Sequence, residues 1–149
     1  MGIRPNFSSK DLDKYHKKIE KQVFDKAIRG YLYLGEAFVT HAKNNVEFTD
    51  QTGNLRSSIG YVLFVNGQVY KEAYTLHKKG HEGIKEGPET AKRIASTLRN
   101  NKIVLVLTAG MNYALYVESK GYNVLTATEH EAKLHALSMF RNFMRDPKM

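Results

Sequence analysis

His77 and His81 stand four positions apart with Glu82 directly after them, and two imidazoles with a carboxylate are a possible donor set for a divalent metal ion. That spacing works only if a helix carries the donors on one face, and Gly80 and Gly83 argue against a helix there. No metal site is expected. His130 and His135 are five apart and do not share a helical face, so surface or packing roles suit them better. Ser57 and Ser58 lie outside any Gly-x-Ser-x-Gly elbow, and neither a phosphate loop nor a dinucleotide fingerprint is present. Glu118 follows an apolar run without a second carboxylate at a spacing suited to paired acid and base work. A small hydrolase or nuclease would need a cluster that this chain does not display. By elimination the expectation is an interaction protein, not an enzyme, with no cofactor.

The elements around these residues give that expectation its shape. Val65 is followed by Asn66-Gly67 and then Gln68-Val69-Tyr70; Asn-Gly between apolar runs favours a type I′ hairpin turn. A simple two-residue turn pairs Val65 with Gln68, Phe64 with Val69, Leu63 with Tyr70, Val62 with Lys71 and Tyr61 with Glu72. Both faces carry apolar side chains, so both are expected to be covered. Before the hairpin, Gly53-Asn54 reads as a turn, with Asn54 capping one helical turn to Ser58 that aims Arg56 outward and Leu55 inward.

Upstream, residues 1–7 contain Pro5 and no periodicity, which suggests a loose arm. Ser8 or Ser9 can cap a helix with Asp11 and Asp13 in its first turn, where the helix dipole favours acids. Leu12, Tyr15, Ile19, Val23, Ala27, Tyr31, Leu34, Phe38 and Ala42 recur every three or four positions, predicting a helix to about Asn45. Such a helix is about 55 Å long, more than one small domain covers, so part of it is expected to lie on a neighbouring subunit. Gly30 and Gly35 mark the expected places for a kink or break. Another face carries Lys10, Lys14, Lys17, Lys18 and Lys21, a solvated face or a contact for phosphate or an acidic partner.

Downstream, residues 75–89 combine three glycines and Pro88 with charged residues, and the expectation is a long flexible loop. A short helix should follow to about Asn100, with Ile94 and Leu98 as its apolar pair. Lys102 to Thr108 is a continuous branched-aliphatic run, read as a central strand buried on both faces. Met111 to Glu118 is amphipathic but of undecided type. Thr128 with Glu131 fits a capping box for a last helix to about Arg145, its buried face marked by Ala132, Ala136, Met139 or Phe140, and Phe143, and Pro147 stops it.

The chain has 149 residues, 42% of them hydrophobic, enough for one domain spanning 1–149. Cysteine is absent, which excludes disulfides and thiolate zinc sites. No apolar run approaches a membrane span or a signal peptide, so a soluble chain without membrane contact is expected. A net charge of +8 favours nucleic acid or an acidic protein surface. The fold class that emerges is α+β: a long N-terminal helix, a small antiparallel sheet with a β-hairpin, and a C-terminal helix packed on the sheet.

Two segments carry a resemblance. Thr52-Gly53-Asn54-Leu55-Arg56-Ser57-Ser58-Ile59 resembles the Thr-Gly-x-Leu-Arg-x-Ser-Ile block of the tail-completion and head-tail joining proteins of long-tailed bacteriophages, the minor tail protein Z-like group. Asn112-Tyr113-Ala114-Leu115-Tyr116-Val117-Glu118, with Gly121 after it, resembles that family's Tyr-Ala-x-Tyr-Val-Glu-x-Gly block. Where the family has an aromatic residue and Gly-Thr after the glutamate, this chain has Ser119-Lys120-Gly121-Tyr122, and residues 75–101 are a longer insertion than compact members carry.

The resemblance implies a non-enzymatic virion part, usually a ring of six, at the neck or the head-proximal end of the tail. Its partners would be copies of itself, the head connector or adaptor, and tail-tube or tail-terminator proteins, with genomic DNA as a passing contact and the host cytoplasm as the place of assembly. Thr52, Gly53, Asn54, Leu55, Arg56, Ser58, Tyr113, Ala114, Tyr116, Val117, Glu118 and Gly121 would then serve the ring interface. Arg56 and Glu118, opposite in sign, are a candidate pair between subunits. A loop that orders only on docking would leave the free chain monomeric. The alternative is a basic DNA- or RNA-binding module that uses the lysine face of the first helix.

Overall fold

The computed structural model describes residues 2–4, 6–98 and 100–149. Met1 and Pro5, part of the expected arm, lie outside them; the described residues before Ser8 are non-helical and exposed. Ser8 begins the first helix, α1 (Ser9–Asn44), through a capping box. Its hydroxyl accepts from the Asp11 amide while the Asp11 carboxylate accepts from the Ser8 amide at 3.0 Å. No break occurs at Gly30 or Gly35. Both are sites of close approach instead: a Cβ on Gly30 would press on Phe140 and Phe143, and one on Gly35 on the ring of Tyr61.

After α1 come α2 (Asn54–Ser57), β1 (Ile59–Val65), β2 (Gln68–Tyr74), α3 (His81–Ala95), a 3₁₀ turn over Ser96–Leu98, β3 (Ile103–Ala109), α4 (Ala114–Ser119) and α5 (Thr126–Arg145). The fold is α+β, with a three-stranded antiparallel sheet in the order β2-β1-β3. The hairpin turn is where it was expected, with positive φ at Asn66 and Gly67. Its register changes two pairs in. Val65 faces Gln68 and Phe64 faces Val69, but Leu63 then faces Lys71 and Tyr61 faces Ala73, because Tyr70 is an extra residue in a bulge.

The central strand is β1, not β3. Its residues are buried from Ile59 to Phe64, while β2 is an exposed edge from Gln68 to Glu72 and β3 is the other edge. One face of β1 packs on α1: Tyr61 lies against Gly35 and donates its phenol to Glu36 at 2.7 Å. On the opposite face Val62 and Phe64 join Val106 and Ala91 of α3. The expected flexible loop at 75–89 is mostly α3 itself, which starts earlier and ends earlier than the helix read from the sequence. Gly83 and Gly87 let this helix lie close to α2 and β1: a Cβ on Gly83 would fall on the Asn54 carbonyl, and one on Gly87 on the Tyr74 ring.

The last helix packs chiefly along α1 and not on the sheet, as an antiparallel neighbour. Tyr31 meets Phe140 with ring centroids 5.0 Å apart, Tyr33 meets Phe143 at 5.5 Å, and His41 Nδ1 bonds the Thr128 hydroxyl at 2.8 Å. Thr128 is therefore a buried contact to α1 and not the helix cap expected from its spacing to Glu131.

Candidate functional site

The two resemblance blocks, more than fifty positions apart in sequence, fold into one unit. Leu55 and Ile59 from the first and Ala114 from the second share a buried cluster with Ala42, Met111 and Val124, and Val117 packs against it. The first block is held by a residue just ahead of it. Asp50 accepts from the Gly53 amide at 2.8 Å and from the Arg56 amide at 2.7 Å, so it supplies the cap expected from Asn54. Gly53 is at φ +83°, a left-handed conformation that lets α2 begin against the His77 carbonyl. Ser57 donates to that carbonyl and accepts from the His77 amide, and Ser58 donates to Leu55 O at 2.7 Å.

In the second block Glu118 has a role that its position alone did not reveal. Its Oε1 accepts from the amides of Val124, Leu125 and Thr126 at 3.2, 2.8 and 2.7 Å, which are orphan donors at the start of α5. Asn123 accepts from the Ala127 amide at 2.9 Å. Gly121, at φ +87°, turns the chain from α4 toward α5. Burial pulls the Glu118 carboxyl upward, but the bonds from Leu125, Thr126 and Val124 outweigh it and hold the pKa below the usual carboxylate value. Among the described residues no ion pair joins Glu118 to Arg56.

Arg56 stands beside Lys43, whose ammonium is pushed down first by burial and then by the Arg56 charge. Arg56 Nε and Asn54 Oδ1 are buried without a hydrogen-bond partner, while the Asn54 amide nitrogen reaches Glu82 at 3.1 Å. The phenol of Tyr113, the residue before α4, is pushed up by burial and then by the charges of Asp50 and Glu82. His77 and His81 do not form a metal site with Glu82: His77 is fixed through its backbone to Ser57, and no group of three or more His, Cys, Asp or Glu among the described residues is placed to hold an ion.

The outward side of this unit is apolar and aromatic. Leu115 is 78% exposed and Tyr116 63%, with Tyr122 beside them. A cavity of about 340 Å³ opens between Phe48, Thr49, Tyr116, Val117 and Tyr122, and the Lys120 ammonium lies 5.3 Å from the Tyr116 ring centroid. The chain matches no family model, curated protein or solved structure. Three aromatic side chains, Phe48, Tyr116 and Tyr122, stand around the cavity, with Glu47 and Lys120 also on its wall. The five lysines Lys10, Lys14, Lys17, Lys18 and Lys21 are far from this unit in sequence, all exposed on the first half of α1. No helix among the described residues is long and apolar enough to cross a membrane.

What the residue types alone did not expose were these side-chain caps. Asp50 and Glu118 each satisfy backbone amides a few positions further along the chain, and the only signal was an acidic residue shortly before a helix start.

Proposed function

We propose that the chain is a non-enzymatic structural component of a long-tailed bacteriophage, forming a ring, of six subunits by the resemblance, at the neck or the head-proximal end of the tail. The observation that supports this most is the joining of the two resemblance blocks. Their buried halves make one core, and the second block turns Leu115 and Tyr116 outward, so one compact unit presents an adhesive face. In this reading that face meets another copy or the adjoining connector, adaptor, tail-tube or tail-terminator ring. The basic charge steers the chain toward acidic surfaces and tolerates passing DNA. The protein acts in the virion after assembly in the host cytoplasm.

The deciding experiment removes this polypeptide from the particle. Full capsids and separate tails are the expected product; particles whose heads and tails remain coupled overturn the reading. A chain carrying Leu115→Asp and Tyr116→Asp should fold but fail to restore joining.

The alternative, a DNA- or RNA-binding module, draws on the five exposed lysines of α1. It requires affinity for arbitrary duplex that falls steeply with salt. Absence of a complex at low salt removes it.

A further inference from the structure

The first half of α1 stands outside the body of the molecule. Leu12, Tyr15, Ile19 and Val23 are 41, 61, 39 and 53% exposed, and their spacing aligns them along one face. That line continues through Lys26 to Gly30, where α5 occupies it: Gly30 lies against Phe140 and Phe143, and the Lys26 amine bonds the Asp146 carbonyl. Helix α5 ends at Arg145, so the stripe runs on uncovered for about three turns. A helical segment of this length without tertiary contacts is marginal in water, and the stripe calls for a partner.

We infer that the occupant is a second copy of this chain, packed through the same stripe in antiparallel orientation about a two-fold axis at Ile19. Direction follows from α5. In a parallel pair both copies would bring α5 onto the shared face at Lys26, and helix axes 8 to 10 Å apart leave no room for either. An antiparallel pair sends the two bodies to opposite ends and brings the first turns of each copy up to the end of the other copy's α5. The register that puts Ile19 opposite Ile19 pairs Tyr15 with Val23 and sets Leu12 opposite Lys26, at the end of the other copy's α5.

The flanks agree in charge. This register brings Asp11 near Lys26 and Arg29 of the second copy and sets Glu20 level with its Lys18, while Lys10, Lys14, Lys17 and Lys21 point away on the back of the helix. A helix lying on an anionic membrane would instead carry mostly lysines beside its apolar stripe, where Asp11, Asp13 and Glu20 stand here with Lys18 as the one lysine among them. The contact is isologous and closes on itself. It is separate from the face proposed for the ring and does not rest on that reading. It also replaces the expected monomeric free state, whose basis was a flexible loop that is helix α3.

The chain has no cysteine, so single introduced thiols report the pairing in the full-length protein. On mild oxidation Ile19→Cys should form a covalent dimer. Tyr15→Cys should stay single by itself but cross-link when mixed with Val23→Cys. By sedimentation the unmodified chain should double in mass as its concentration rises, and Ile19→Glu should shift that midpoint upward by at least about tenfold. A chain that stays monomeric throughout overturns the inference, whether or not it binds anionic vesicles. So does Tyr15→Cys cross-linking to itself, which reports a parallel pair, or a larger assembly in which Cys at position 19 does not cross-link. Two-fold dimers of a chain that particles do not need for joining would sink the ring reading and leave this one intact.

Discussion

The two halves of α1 share one periodicity and meet different fates. From Ile28 to Ala42 the helix buries Ile28, Gly30, Leu34, Gly35, Phe38, Val39 and Ala42 against the sheet and α5, whereas every residue from Ser9 to Val23 is exposed. An apolar stripe thus records that a face is to be covered without recording by what. The covering elements of the first case are in the same chain, because α5 is long enough to reach Lys26 and no further.

The largest test of this division sets one apolar residue of each region against the other. Leu55→Ala removes a side chain that is 2% exposed where the two resemblance blocks meet, and should cost about 2–5 kcal/mol in denaturant unfolding. Ile19→Ala, measured at concentrations below self-association, should change stability by no more than about 0.5 kcal/mol. Equal losses would mean that the overhang is part of the cooperative body. Next in size is Gly83→Ala. Its Cβ would fall on the Asn54 carbonyl, backbone that cannot swing aside, so α3 must shift from α2 at a cost of about 1–3 kcal/mol. A glycine of the overhang's kind does not exist to compare, but an alanine at exposed Lys17 should be nearly neutral by the same assay.

These contrasts also explain what was legible in the sequence. Features set by neighbours in the chain could be read: a serine cap at residue 8 or 9, the hairpin turn at Asn66-Gly67, the aliphatic strand within 102–108 and the last helix. Features set by distant pairing could not. The branched-aliphatic run of β3 looked central, yet the strand order puts β1 there, and its Gly60 is needed because a Cβ would strike the Ala73 carbonyl and the Tyr74 ring. Gly80, Gly83 and Gly87 read as helix breakers because glycine lowers helix propensity, and close packing on α2 and β1 overrides that preference. For the candidate site, the two blocks could be picked out along the sequence, but not what each residue does inside the fold. Glu118 read as a charge at the end of a buried element or a partner in an ion pair, and within the chain it is the anchor of α5.

That anchor gives a third, smaller test. Glu118→Gln keeps the shape but removes the charge facing three amides, and should cost about 1 kcal/mol, since part of the site is open to solvent that screens it. The folded carboxyl has a pKa below its unfolded value, so its contribution is present above the unfolded pKa and is lost as pH falls through the folded one. Unfolding curves of the two proteins should therefore separate at neutral pH and converge in acid. A constant gap would assign the loss to packing.

The smallest effect belongs to the overhang. Ser8→Ala removes the hydroxyl that accepts from the Asp11 amide, and the Asp11 carboxyl is held below its usual pKa by its bonds to the Ser8 backbone and side chain. Acidification through that lowered pKa protonates Asp11 and should loosen the same turn, because the capping box needs the carboxylate form. Hydrogen exchange at the amides following Ser8 should rise in the variant and at low pH after correction for intrinsic rates, while protection from Ile28 onward stays unchanged. Since every residue of the helix from Ser9 to Val23 is exposed, fraying begun at Ser8 meets no buried contact to stop it until the body is reached. Pairing with a second copy would supply that stop, so the same exchange measured above the association midpoint should show protection returning first around Ile19, where the two-fold axis lies.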